Sequence, residues 1–260
     1  MKRCAKLLLA LFLLESAAGL FLFLPLVGRR NAGVKFYRLI FITCVALDAG
    51  AAISYGVARQ WPLVWCSVAL LASTLFVYFV LRYPKRLIYR VPQLLLYSAY
   101  LMVPVVAFQR AIRPPAIFWS AAGALSSTAL IGSVCMAMLL GHWYLVVRGM
   151  PIDPLKRLTW SLLACAVAKS VLLLLAVLSI PGPFERGTAL YSLLMSDGVF
   201  FWMRIGWGLM GTLGLYPMIW GTVKIRSTMA ATGILYVAVV AVIIGEVLGV
   251  YLSSVHHMAL

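Results

Sequence analysis

The sequence predicts an all-α fold, a polytopic transmembrane helix bundle of about eight spanning helices, and three observations carry that reading. Of the 260 residues, 64% are hydrophobic and only 11% charged, with a mean hydropathy of +1.04, which lies outside the range of soluble globular domains. The apolar residues gather into runs of about 20, the length needed to cross a bilayer as a helix. The basic residues stand in the short stretches between these runs.

The first run, 7–27, follows the basic opening MKRCAK. That opening suits a signal-peptide n-region, but the apolar stretch is longer than the roughly 7–15 residues of an h-region, so it reads as a retained helix. Runs 38–58, 62–82 and 92–112 come next, set off by basic stretches such as GRRNAGVKFYR and RYPKRLIYR. Run 117–147 repeats Ala129, Ser133, Ala137 and Gly141 every four residues, a small-residue stripe suited to close helix packing. Runs 158–180, 199–223 and 229–253 complete the bundle, the last with a second stripe of Gly245, Gly249 and Ser253. The connections leave no room for a soluble catalytic core, so residues 1–260 read as a single integral membrane domain.

The 22 Lys and Arg against 6 Asp and Glu give a formal charge of +16. In a soluble protein this balance would suggest nucleic acid, but no basic helix or nucleic-acid module accompanies it, and no nucleic-acid partner is expected. Anionic lipid headgroups at the basic loops explain the charge. The loops after the first, third, fifth and seventh runs hold 13 of the Lys and Arg and the opposite face 7. By the positive-inside rule both termini lie outside.

An ionised side chain at the centre of a bilayer costs roughly 3 kcal/mol on insertion scales, so such residues have a partner or a task. Of the six acids, Asp153 and Glu185 fall in loops, whereas Glu15, Asp48 and Glu246 lie inside runs and Asp197 at the start of one. Lys169 and Arg204 are the basic counterparts. Asp197, in LLMSDGVFF, has the setting of a helix N-cap, and Arg204 stands close enough to its helix end to snorkel outward. Glu15 and Glu246 fall some 10–12 Å below the outer face at 1.5 Å per residue, with Asp48 and Lys169 near the midplane. Lys169 can pair with one acid and fix a helix contact. A carboxyl left over is then free to exchange protons.

His142, in GHWYLVVRG, sits near the cytoplasmic end of the fifth run. It reads as part of an aromatic belt with Trp143 and Tyr144, or as a proton entry point or a polar contact for a quinone headgroup. The other histidines, His256 and His257, lie at the opposite face, so a bis-histidine haem cannot be assembled. Five scattered cysteines show no metal or disulfide spacing. GWGLMG at 206–211 matches a dinucleotide fingerprint literally but follows no strand, so its glycines read as a groove for close approach. Trp202, Trp207 and Trp220 share that run and would suit a flat apolar ring. The likeness of ESAAGLFL and EVLGVYL does not fit a four-plus-four duplication. No GxSxG, HExxH, paired-aspartate or P-loop motif is present.

GHWYLV and KIRSTMAATGILY, the latter followed by IIGE, resemble stretches of uncharacterised bacterial multi-pass membrane proteins. The resemblance implies a bacterial inner-membrane location and assigns no residue or activity.

These features lead to an expected function of moving protons or a small solute through buried carboxyl groups. Glu15, Asp48 and Glu246 would exchange protons, Lys169 would be their counter-ion, and His142 would stand at the cytoplasmic mouth. The alternative is a quinone-binding or anchoring subunit with membrane or redox partner subunits, in which case quinone is the cofactor; otherwise none is expected. A third reading is an intramembrane lipid-modifying enzyme.

Overall fold

The computed structural model describes residues 2–80, 86–114, 116–147, 149–180, 188 and 191–256. Glu185 and His257 lie outside the described residues. The described chain is 92% helical with no strand, as an apolar environment requires, because a helix satisfies its own backbone hydrogen bonds where water is absent. The helices are α1 Lys2–Val27, α2 Arg29–Val57, α3 Trp61–Val80, α4 Arg86–Ile112, α5 Ile117–Val146 and α6 Asp153–Leu178. After a short π-helical turn at Ser192–Ser196 come α7 Gly198–Met203, a π-helical segment Arg204–Gly211, α8 Thr212–Lys224 and α9 Thr228–His256.

Seven of these, α1 to α6 and α9, are long and apolar enough to cross a membrane, compatible with a multi-pass membrane protein. The predicted run 199–223 is helical too, but in three pieces. Its winding widens to π over the glycine-rich RIGWGLMG, so no single regular helix covers it. α2 begins earlier than the apolar run and breaks at Gly33, whose φ of 77° and ψ of 169° no helix contains. Glycine tolerates that left-handed φ without a Cβ penalty.

Backbone contact at glycines sets which helices lie inside. A Cβ on Gly19 would stand 2.7 Å from the Cα of Gly132, so α1 and α5 cross in direct contact. These two helices are accordingly the most enclosed, 67% buried over their apolar windows against 28% for α3 and α6. A second crossing joins α9 to the π segment, where a Cβ on Gly208 would lie 2.6 Å from the Cα of Gly245. Gly141 of α5 is packed by the Thr232 side chain of α9, whose Oγ1 would lie 2.8 Å from an added Cβ. Within GWGLMG it is Gly208 that serves a helix contact, and the occupant of that groove is α9 itself, whereas a Cβ on Gly206 would meet nothing within 4 Å.

The outward faces are apolar. Trp65, Leu178 and Val199 are each about 70% exposed (68%, 71% and 72%), and many Leu, Val, Phe and Met side chains accompany them. Such continuous apolar surface suits a lipid solvent.

Candidate functional site

Where α1, α5, α6, α9 and the π segment meet, the bundle encloses a charged cluster. Glu15, Lys169, Arg204 and Glu246 are exposed by 0%, 3%, 1% and 2% respectively. Lys169 Nζ lies 3.7 Å from Glu246 Oε2, and it donates to Ser127 Oγ at 2.7 Å and to Ser126 Oγ at 3.1 Å. The Ser127 hydroxyl also reaches the Glu246 carboxylate. α5 thus supplies the hydroxyls that solvate an ion pair formed by α6 and α9.

Arg204 does not snorkel. Its guanidinium turns inward and fills the notch left by the missing side chain of Gly249, with Nη1 3.5 Å from the Gly245 carbonyl and within electrostatic reach of Glu246 and Glu15. The π winding starts at this residue. π-Helical turns inside helices often mark functional sites. Among the described residues, both oxygens of Glu15, the Oε2 of Glu246 and the Nε and Nη2 atoms of Arg204 make no hydrogen bond. Glu15 feels the charges of Glu246, Lys169 and Arg204.

The structure does not bring the other sequence candidates here. Asp48 is fully buried but sits in a second polar group among α2, α3 and α4. Its Oδ2 is 2.6 Å from Tyr100 Oη, which is 2.9 Å from Thr74 Oγ1. Depth near the midplane was shared with Lys169, but their helices do not adjoin at these residues. His142 is exposed, with Nδ1 3.5 Å from the Tyr236 hydroxyl. Fifteen residues of α5 separate it from Ser127, which is about 22 Å along the axis.

Asp197 occupies the N-cap position of α7 without capping it. Its Oδ2 instead meets Nε2 of His256, in the last turn of α9, at 3.1 Å. Trp143 donates from Nε1 to the Ala32 carbonyl at 3.2 Å, which ties the end of α5 beside the α2 break. Trp202 and Trp207 face outward, exposed by 59% and 57%, whereas Trp220 packs on Trp160 with ring centroids 5.2 Å apart; the three form no common ring site.

Sequence reasoning missed Ser126 and Ser127. The only available signal was the adjacent pair of hydroxyls in an apolar run facing a helix with a buried lysine. An apolar groove of about 240 Å³ lies between α1 and α9, lined by Leu8, Leu9, Phe12, Val247, Val250 and Tyr251.

Comparison with known proteins adds no relative. No protein-family model, curated protein or solved structure matches the chain. The functional reading therefore rests on the cluster.

Proposed function

We propose that this is an integral, multi-pass protein of a bacterial inner membrane that moves a proton, or a small solute together with one, between the two faces. Glu15, Lys169, Arg204 and Glu246 form its exchange site. The observation that carries this reading is the set of unpartnered atoms on Glu15 and Arg204 inside a sealed cluster. A network serving architecture alone satisfies its members, because each buried orphan costs roughly 1–3 kcal/mol. A proton on Glu15, or a polar solute held between Glu15 and Arg204, removes that deficit.

The two acids have different tasks. Glu246 is fixed by Lys169 and Ser127, so it serves as the standing counter-charge. Glu15 has no fixed partner and is the group that loads and unloads. With both acids ionised the four charges cancel; a proton on Glu15 leaves the site with one positive charge. That alternation changes the attraction between α1 and the helices carrying Lys169, Arg204 and Glu246. It supplies a physical basis for opening the site to one face and then the other. His142, at the far end of α5, marks the cytoplasmic mouth in this scheme, and both termini lie outside.

The test is proton uptake by liposomes containing the purified protein, under an imposed proton gradient. Wild-type protein should carry protons, and Glu15→Gln and Glu246→Gln should not while remaining in the membrane. Liposomes no more permeable than empty ones would sink the proposal.

The groove between α1 and α9 favours a second reading, a quinone-binding membrane subunit. Its apolar walls suit a lipophilic ring and tail, and Glu15 follows the lining residue Phe12 by three positions while Glu246 immediately precedes Val247. Quinone recovered in stoichiometric amount from gently solubilised protein would support that reading over transport.

A further inference from the structure

A count of hydrogens along the polar group of Asp48 bears on its protonation state. Three oxygen-to-oxygen contacts run in series: Asp48 Oδ2 to Tyr100 Oη at 2.6 Å, Tyr100 Oη to Thr74 Oγ1 at 2.9 Å, and Thr74 Oγ1 to the Leu70 carbonyl at 2.8 Å. The two hydroxyls supply two hydrogens for three contacts, so all three are filled only when the Asp48 carboxyl carries the third. In that filled arrangement the Leu70 carbonyl, which can only accept, takes the hydrogen of Thr74. The hydrogen of Tyr100 then goes to Thr74. The remaining contact, the shortest of the three, needs a hydrogen carried by the Asp48 carboxyl.

We propose that Asp48 is a second proton-binding site of the bundle, resting as a neutral acid that donates to Tyr100 at the head of a one-way chain ending on the Leu70 carbonyl. Two further observations agree. Asp48 Oδ1 has no hydrogen-bond partner among the described residues, which is tolerable for a neutral carboxyl but costly for a buried carboxylate. No Lys, Arg or His among the described residues forms an ion pair with it; the groups that face it are Tyr100 from α4 and Cys44 from its own helix. From α1, Phe21 packs on the Tyr100 ring with centroids 4.9 Å apart.

Release of the proton to water would reverse the chain. Tyr100 would turn its hydrogen to Asp48, and Thr74 would turn its own to Tyr100. Two hydroxyl rotations accomplish this with no helix displaced, so the group can take up and give back a proton at fixed backbone geometry. This inference does not rest on the transport reading, because it concerns a resting state measured without a gradient.

Infrared spectroscopy of the full chain in dodecyl maltoside micelles, which contain no carbonyl, tests it. The chain has three aspartates, and Asp153 and Asp197 stand at helix starts, the first exposed and the second paired with His256. Labelling the aspartate side-chain carboxyl with ¹³C therefore isolates Asp48 from Glu15. At neutral pH the unlabelled-minus-labelled spectrum should contain a carboxylic-acid C=O band that shifts in D2O and disappears in Asp48→Asn. Carboxylate bands alone, or an acid band that survives in Asp48→Asn, would overturn the assignment. If Asp48→Asn fails to fold, the labelled wild-type spectrum still decides: an acid band supports the assignment and its absence refutes it.

Discussion

The guanidinium of Arg204 occupies the space that a side chain at Gly249 would fill. This one relationship explains why a cation expected to reach outward is instead 1% exposed. It also explains why α9 carries glycine at a helical position where alanine would otherwise be preferred by up to about 1 kcal/mol.

Gly249→Ala should therefore destabilise the protein despite its better helix propensity. Overpacking costs about 1–3 kcal/mol, and here the displaced group is a buried charge with little room to retreat. Gly233→Ala, on the same helix with nothing within 4 Å of its added Cβ, should be neutral or stabilising. Thermal unfolding midpoints of the two variants in the same detergent check the contrast.

The crossing of α1 and α5 predicts a larger effect. An added Cβ on Gly19 or Gly132 meets backbone rather than the end of a flexible side chain, so the helices themselves must separate. Gly19→Ala or Gly132→Ala should lower the unfolding midpoint more than Gly249→Ala. Equal midpoints would mean that the two helices do not meet at this point.

Lys169 and Glu246 should behave as a coupled pair. Lys169→Met leaves a buried carboxylate without its cation, a loss of roughly 3–5 kcal/mol. Lys169→Met combined with Glu246→Gln should regain much of that loss, so a double-mutant cycle should give a coupling well above the scatter of additive sites. Additive effects would show that the 3.7 Å contact carries no energy.

The charge asymmetry of the loops predicts topology. Reporter fusions after Ile112 and at the carboxy terminus should report the outer face, and fusions after Gly33 or Gly149 the cytoplasm. The opposite pattern would invert the proposed direction of the pathway while leaving the cluster itself unchanged.

How much of this was legible in the sequence depends on the kind of information each residue carries. Glu15, Lys169 and Glu246 were conspicuous because charge inside an apolar run is expensive wherever it occurs. Which helices adjoin is not written in hydropathy, so Asp48 and Lys169, similar in depth, could not be separated into different polar groups. The direction a long side chain takes was hidden too. Arg204 stands only a few residues inside its run, a depth from which a long side chain can reach outward, and no local spacing announces the notch at Gly249 that takes its guanidinium. Gly208, Gly245 and the stripe on α5 announced close packing without naming the partner. Asp197 had the sequence setting of a cap, yet its carboxylate reaches across to His256, a contact between distant segments that local spacing cannot encode.

The central claim is that Glu15 is the loading carboxyl of the site. Glu15 makes no hydrogen bond among the described residues, so Glu15→Gln removes the titrating charge without breaking a hydrogen bond. The decisive measurement is gradient-driven proton uptake by liposomes holding wild-type or Glu15→Gln protein, with the unfolding midpoint of each recorded alongside. Uptake by the wild type and none by an equally stable Glu15→Gln protein is the predicted result. Undiminished uptake by Glu15→Gln would contradict the account.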